Sequence, residues 1–95
     1  MNISDIGPDS RKINIKAKII EMQQPREITT RFGKTKVAEA MIEDSTGQFT
    51  LVLWGEEVDR VMIGQTIQVE NGYIREFQGR LQLNVGKYGK LEVVE

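Results

Sequence analysis

The chain has 95 residues, 39% hydrophobic and 28% charged, with 13 basic against 14 acidic side chains and a net charge of -1. That length fits one folded domain with little room for a second, and the composition excludes a disordered chain. With no Cys and no His, a disulfide framework, a thiolate zinc site and a cysteine nucleophile are excluded, and the usual general bases and nucleophile activators are absent.

Residues 1–11 read as an N-terminal arm with a turn at Gly7-Pro8-Asp9-Ser10. "KINIKAKII" then alternates. Ile13, Ile15, Ala17 and Ile19 fall on one face and Asn14, Lys16 and Lys18 on the other, the period of a half-buried strand. "EMQQPREITTRFGKTK" has little apolar content and contains Pro25 and Gly33. It reads as a long hairpin connection with extended ends and a turn at Phe32-Gly33. "KVAEAMIE" is a second strand with Ala38, Ala40 and Ile42 inward, and "EDSTGQ" is a turn. "FTLVLW" is a third strand, with Phe49, Leu51 and Leu53 inward and Thr50, Val52 and Trp54 outward. "GEEVDRVMIGQ" allows a short helix on which Val58, Val61 and Met62 share a face.

"TIQVE" is a fourth strand with Ile67 and Val69 inward, "RLQLNV" a fifth with Leu81, Leu83 and Val85 inward, and "LEVV" adds a short closing segment. Asn71-Gly72 has two readings: a hairpin turn, or a bulge inside one long strand that reverses at Gln78-Gly79. The bulge is preferred, because it leaves a tight two-residue turn. Simple alternation would bury Tyr73 and Phe77, and a one-residue bulge turns them outward. Five short strands, a long first loop and a helix between strands three and four match the five-stranded OB-fold, a Greek-key barrel, over a single domain 1–95.

The charges are unevenly distributed. Arg11, Lys12, Lys16, Lys18, Arg26, Arg31, Lys34 and Lys36 face only two acids over residues 11–36, whereas every charge over 39–59 is acidic. A neutral total can therefore hide a basic face. Adjacent carboxylates such as Glu56-Glu57 do not make an acid–base pair, and Gly86-Lys87-Tyr88-Gly89-Lys90 lacks the spacing of a phosphate loop. No enzyme, metal or cofactor is expected. No apolar run approaches the ~20 residues that span a bilayer, no membrane association is expected, and the expected location is cytoplasmic.

What remains is aromatic plus basic. Trp54 is out of phase with Leu51 and Leu53, so it is either a flat outward platform for bases or a plug at the barrel's end. Phe32 stands at a loop tip beside Arg31 and Lys34, and Tyr88 is a cap or a contact.

"AMIEDSTGQFTLVLWG" and "GQTIQVENGYIREFQGRLQLNVGKYGKL" resemble the simple single-stranded-DNA-binding proteins of archaea, their SOSS-type eukaryotic relatives and the OB domains of archaeal replication protein A. The most specific parts are Asp44-x-Thr46-Gly47, Leu53-Trp54-Gly55 and Phe77-x-Gly79-x-Leu81-x-Leu83-x-x-Gly86. The resemblance implies base stacking at Trp54, Tyr73 and Phe77, which favours the bulged strand. It also implies a backbone grip by Arg26 and the loop carrying Arg31, Lys34 and Lys36. Some relatives carry an aromatic where this chain has Asn84, so that stack is either missing or replaced by a base hydrogen bond from Asn84. Phe32 is an addition to the pattern. Arg75, Arg80 and Lys87 complete the expected phosphate contacts.

The expected function is sequence-tolerant binding of single-stranded DNA in replication or repair, alongside other replication and repair proteins. The alternatives are a single-stranded RNA or tRNA module, and a protein-interaction subunit of a larger assembly.

Overall fold

The computed structural model of the chain describes residues 1–94, and every side chain among them but those of Lys87 and Tyr88. The alternation is realised in β1 (Ile13–Met22): Ile13, Ile15, Ala17 and Ile19 are buried, while Asn14, Lys16 and Lys18 are exposed. β1 changes neighbours along its length. Its first part pairs with β5 (Thr66–Phe77) and its last part with β3 (Gly33–Asp44). β3 pairs with β4 (Gly47–Trp54), β4 runs parallel to β6 (Arg80–Val93), and β6 returns to β5. The order β1-β5-β6-β4-β3 thus closes on β1 as a five-stranded barrel. Closure pairs the backbone groups that an open sheet leaves at its edges.

β2 (Arg26–Thr30) lies outside this ring and extends β3 as a hairpin, with Thr30 paired to Gly33. The long connection therefore has extended ends, as expected, but its turn is Arg31-Phe32, one residue earlier than the sequence suggests.

The core is aliphatic. Ile13, Ile19, Ile42, Leu51, Leu53, Ile67, Val69 and Leu83 are fully buried. The short helix α1 (Glu56–Arg60) falls between β4 and β5, the third and fourth strands of the barrel, and adds Val58 and Val61 to that core. Met62 does not share their face. Val61 is already extended, so the helix has ended and Met62 is exposed. Arg60 ties the helix to the barrel by donating to the Leu91 carbonyl.

β5 is one strand through Asn71-Gly72. Asn71 adopts φ 58, and the register with β6 shifts between Glu70 and Gly72. The chain reverses at Gln78-Gly79, with φ 52 and 78, the left-handed pair that a two-residue hairpin needs. Gly72 is demanded by close approach: a Cβ there would stand 2.9 Å from Leu83 Cδ1 and 3.1 Å from Val69 Cγ1. The "LEVV" segment is not separate. β6 runs through to Val93, pairing Leu91 with Val69 and Val93 with Ile67.

The N-terminal segment is not a free arm. A 3-10 turn at Ile3–Asp5 buries Ile3 to 5% exposure within the core cluster, and the turn at Gly7–Ser10 closes as expected. Asp44 explains the anchoring. Its Oδ1 accepts from the Thr46 N–H at 2.7 Å, the Thr46 hydroxyl at 2.5 Å and the Gly47 N–H at 3.2 Å, closing the β3–β4 turn. Its Oδ2 accepts from the Ile3 N–H at 2.8 Å. The Thr46 hydroxyl first, then these backbone N–H groups, hold the Asp44 carboxyl below its ordinary range. A depressed folded-state pKa stabilises the fold above the ordinary carboxylate value, and that contribution is lost as pH falls through the depressed one. Asp44→Asn is therefore expected to melt below wild type at neutral pH, with the gap closing in strong acid. Thermal denaturation of both proteins across pH checks it, and a pH-independent gap would remove the charge from the account.

Candidate nucleic-acid interface

The bulge at Asn71 decides which β5 side chains leave the core. Before it, Ile67 and Val69 point inward; after it, Gly72 and Ile74 do, and Tyr73, Arg75 and Phe77 emerge. They emerge beside the outward residues of β6, since Tyr73 pairs with Asn84, Arg75 with Gln82 and Phe77 with Arg80. β6 carries the face on to β4 through Val52 and Asn84, and β4 to β3 through Trp54 and Val37. Directly paired residues share a face. One groove consequently crosses four barrel strands and reaches β2. Trp54, Phe77 and Arg75 line it with Val37, Val52, Gln82 and Asn84 on its floor, and Arg26, Ile28 and Glu39 on the β2–β3 side.

Trp54 is half-buried in this groove and is not the barrel's plug; Val58 and Val61 enter the core beside it. Its indole N–H donates to Asn84 Oδ1 at 3.2 Å, and its backbone N–H donates to Glu57 Oε1 at 3.1 Å. Burial pushes the Glu57 carboxyl up, opposed by that backbone N–H and by Arg60. Tyr73 and Phe77 are 43% and 45% exposed, ample for aromatics on a strand face. Tyr73 owes its position to Gly86: a Cβ at Gly86 would stand 2.9 Å from the ring's Cε1 and 3.2 Å from Cδ1. On its far side Tyr73 borders a second groove, formed by residues 8–12 and 71–74 together with Gly86.

Phe32 projects from the β2–β3 hairpin tip at 92% exposure, with the Arg31 guanidinium 5.9 Å from its ring centre. That distance is within cation–π range.

The basic residues divide. Arg26 and Arg75 line the groove, and Arg80 borders an adjoining depression with Glu21, Glu39 and Thr50. Lys34 and Lys36 do not join them. Their cross-strand partners are Thr29 and Glu27, on the hairpin face away from Arg26 and Val37. Lys36 Nζ is held 3.0 Å from Asp59, and Lys34 Nζ lies 3.7 Å from Glu27. The Lys87 and Tyr88 side chains lie outside the described residues. Asn84 faces outward as the alternation implies, yet it is 2% exposed, covered by its neighbours in the groove.

The sequence reading missed Val37, Val52 and Glu39 as groove residues, and Arg11 and Lys12 as walls of the second groove. Alternation in "KVAEAMIE" placed Val37 and Glu39 on the outward face, and only the sheet joins that face to Trp54. Among the described residues no cluster of acids could hold a metal ion, and no helix is long and apolar enough to cross a membrane.

A closed five-stranded Greek-key barrel with a short helix between its third and fourth strands and an aromatic groove across one face is an OB-fold. The chain belongs to the family described as single-stranded DNA binding protein Ssb-like, OB fold, whose model matches residues 6–93. It is 30% identical over 89 residues to the single-stranded DNA binding protein Ssb of Saccharolobus solfataricus, covering 94% of this chain and 60% of that one. It is also 30% identical over 96 residues to replication factor A of Methanothermobacter thermautotrophicus, covering 95% of this chain and 12% of that one. The OB domain of a Thermoplasma acidophilum protein shares the fold, with a TM-score of 0.85 at 21% identity over 99% of this chain and 85% of that one.

Proposed function

We propose that this chain is a non-catalytic module that binds single-stranded DNA with broad sequence tolerance and keeps exposed strands open in replication or repair. The observation that carries the reading is the Asn71 bulge, which sets Tyr73 and Phe77 on the same outer face as Trp54. Every base has a π face, so Trp54 and Phe77 in the groove, with Tyr73 beside it on the same face, suit a ligand of any sequence. Arg26 and Arg75 in the groove and Arg80 in the depression beside it serve the phosphates, and Phe32 with Arg31 offers a further stack at the hairpin tip. Lys34 and Lys36, turned away and paired with acids, contribute to the field rather than to contacts. The family description and the name of the Saccharolobus relative support DNA as the ligand. Replication proteins are the expected partners, in keeping with the replication factor A likeness.

The test is a titration of the single Trp with a short oligo-dT over a range of salt concentrations. Quenching is expected. Single strands lose about 0.7 of a log unit in affinity per log unit of salt for each phosphate neutralised, so three arginines give a slope of about -2. A flat salt response with retained quenching would remove the arginines from the account. An RNA oligomer of matched sequence that binds more tightly than DNA would reassign the ligand. Absence of quenching with either polymer would leave the aromatic face to a protein partner.

A further inference from the structure

Asn84 sits in a row that crosses the groove: Glu39 on β3, Val52 on β4, Asn84 on β6 and Tyr73 on β5 are paired in succession. Trp54 decides how its amide is turned. An indole N–H can only donate, so the atom 3.2 Å from Trp54 Nε1 is the amide oxygen. The NH2 group therefore points elsewhere. Nδ2 is buried, and among the described residues it meets no acceptor. A buried donor without a partner is costly and rare in native interiors. Here it is locked in that state by an aromatic residue of the groove itself. Its cross-strand partner on β5 is Tyr73, whose ring is partly exposed, and Asn84 itself lines the groove.

Glu39 brings the opposite chemistry to the same row. It is half-buried, lines the groove, and as a carboxylate can only accept. Two strand spacings separate it from Asn84, about 10 Å between backbones, with the apolar Val52 between them. A phosphate over this row would meet the Glu39 charge. A base lying flat on Val52 would instead offer one edge to each polar group.

We propose that Asn84 and Glu39 read the edge of one base and prefer cytosine to thymine. The inference rests on the nucleic-acid reading above and adds a base preference to one position of a tolerant groove. Both pyrimidines carry the O2 carbonyl that the Asn84 NH2 needs. They differ at the far end of that edge. Cytosine presents the N4 amine, which donates to Glu39; thymine presents the O4 carbonyl, which sets an acceptor against the carboxylate.

The experiment measures binding of labelled oligo-dC and oligo-dT of equal length, above neutral pH, to wild type, Glu39→Gln and Asn84→Leu, with melting curves for all three. Wild type is expected to favour oligo-dC by roughly fivefold, the worth of about one hydrogen bond. Glu39→Gln, whose amide can donate to O4, should bring the ratio to one or invert it. Asn84→Leu should weaken both oligomers by a similar factor while keeping the cytosine preference. Equal binding of the two oligomers by wild type, or a preference that survives Glu39→Gln, overturns the proposal. Undiminished binding by Asn84→Leu removes Asn84 from it. A wild type that binds neither oligomer sinks the nucleic-acid reading itself, a result distinct from equal binding.

Discussion

Trp54→Ala is expected to weaken oligo-dT binding by roughly five- to 150-fold, the loss of about 1–3 kcal/mol that one base–aromatic stack contributes. The effect should be large because Trp54 does two things in the groove. Its ring lines the wall near Phe77, and its indole N–H holds the Asn84 amide in one orientation. Trp54→Phe separates the two roles, since it keeps a stacking ring and lacks the indole donor. It should recover most of the affinity. Because the Trp is gone in both variants, binding is read from the anisotropy of a labelled oligomer, and circular dichroism checks the fold. Affinity for Trp54→Ala equal to wild type would falsify the stacking model whatever the salt dependence shows.

Leu51→Ala is expected to cost about 2–5 kcal/mol of stability. Leu51 is fully buried in β4, flanked by Ala40 on β3 and Leu83 on β6. Ala40 is small, so the far neighbour cannot swell to fill the space left by the removed side chain. A domain of this length has of order 5–15 kcal/mol in total, so the loss should lower Tm by roughly 10 °C or more. Leu51→Met, which conserves volume, should cost less than about 1.5 kcal/mol. Urea and thermal denaturation of the two variants give the comparison; similar losses would mean that β4 tolerates a cavity there.

Much of this was legible in the sequence because the signals are local. The alternation of Ile13, Ile15, Ala17 and Ile19 needs only the pleat of a strand to become a buried face. Asp44-x-Thr46-Gly47 closes its own turn through one carboxylate oxygen, and the third strand's period already set Trp54 apart from Leu51 and Leu53. The helix after Gly55 was placed by its spacing, though not its end, since Met62 fits the period and lies beyond the last helical turn.

Other features depended on partners far away in the chain. Asn71-Gly72 is compatible with a hairpin or a bulge. The choice falls to β1 and β6, which pair Gly72 with Ile13 and Val85 and leave no space for a Cβ. Lys34 and Lys36 look like groove cations until the hairpin register turns them to the back, beside Glu27 and Asp59. Residues 1–11 look like an arm because nothing in them announces that Asp44 has a second oxygen to spare for the Ile3 N–H. Asn84 reads as an outward polar residue, and only the packing of β4 and β5 on either side buries its amide. Strand identity, turns and the hydrophobic core were set by residues within a few positions of one another. Which face a side chain reaches after a bulge, and which charges and amides meet in the groove, were decided by register between strands. Register is set jointly by all the strands of a closed barrel, and no single segment holds it.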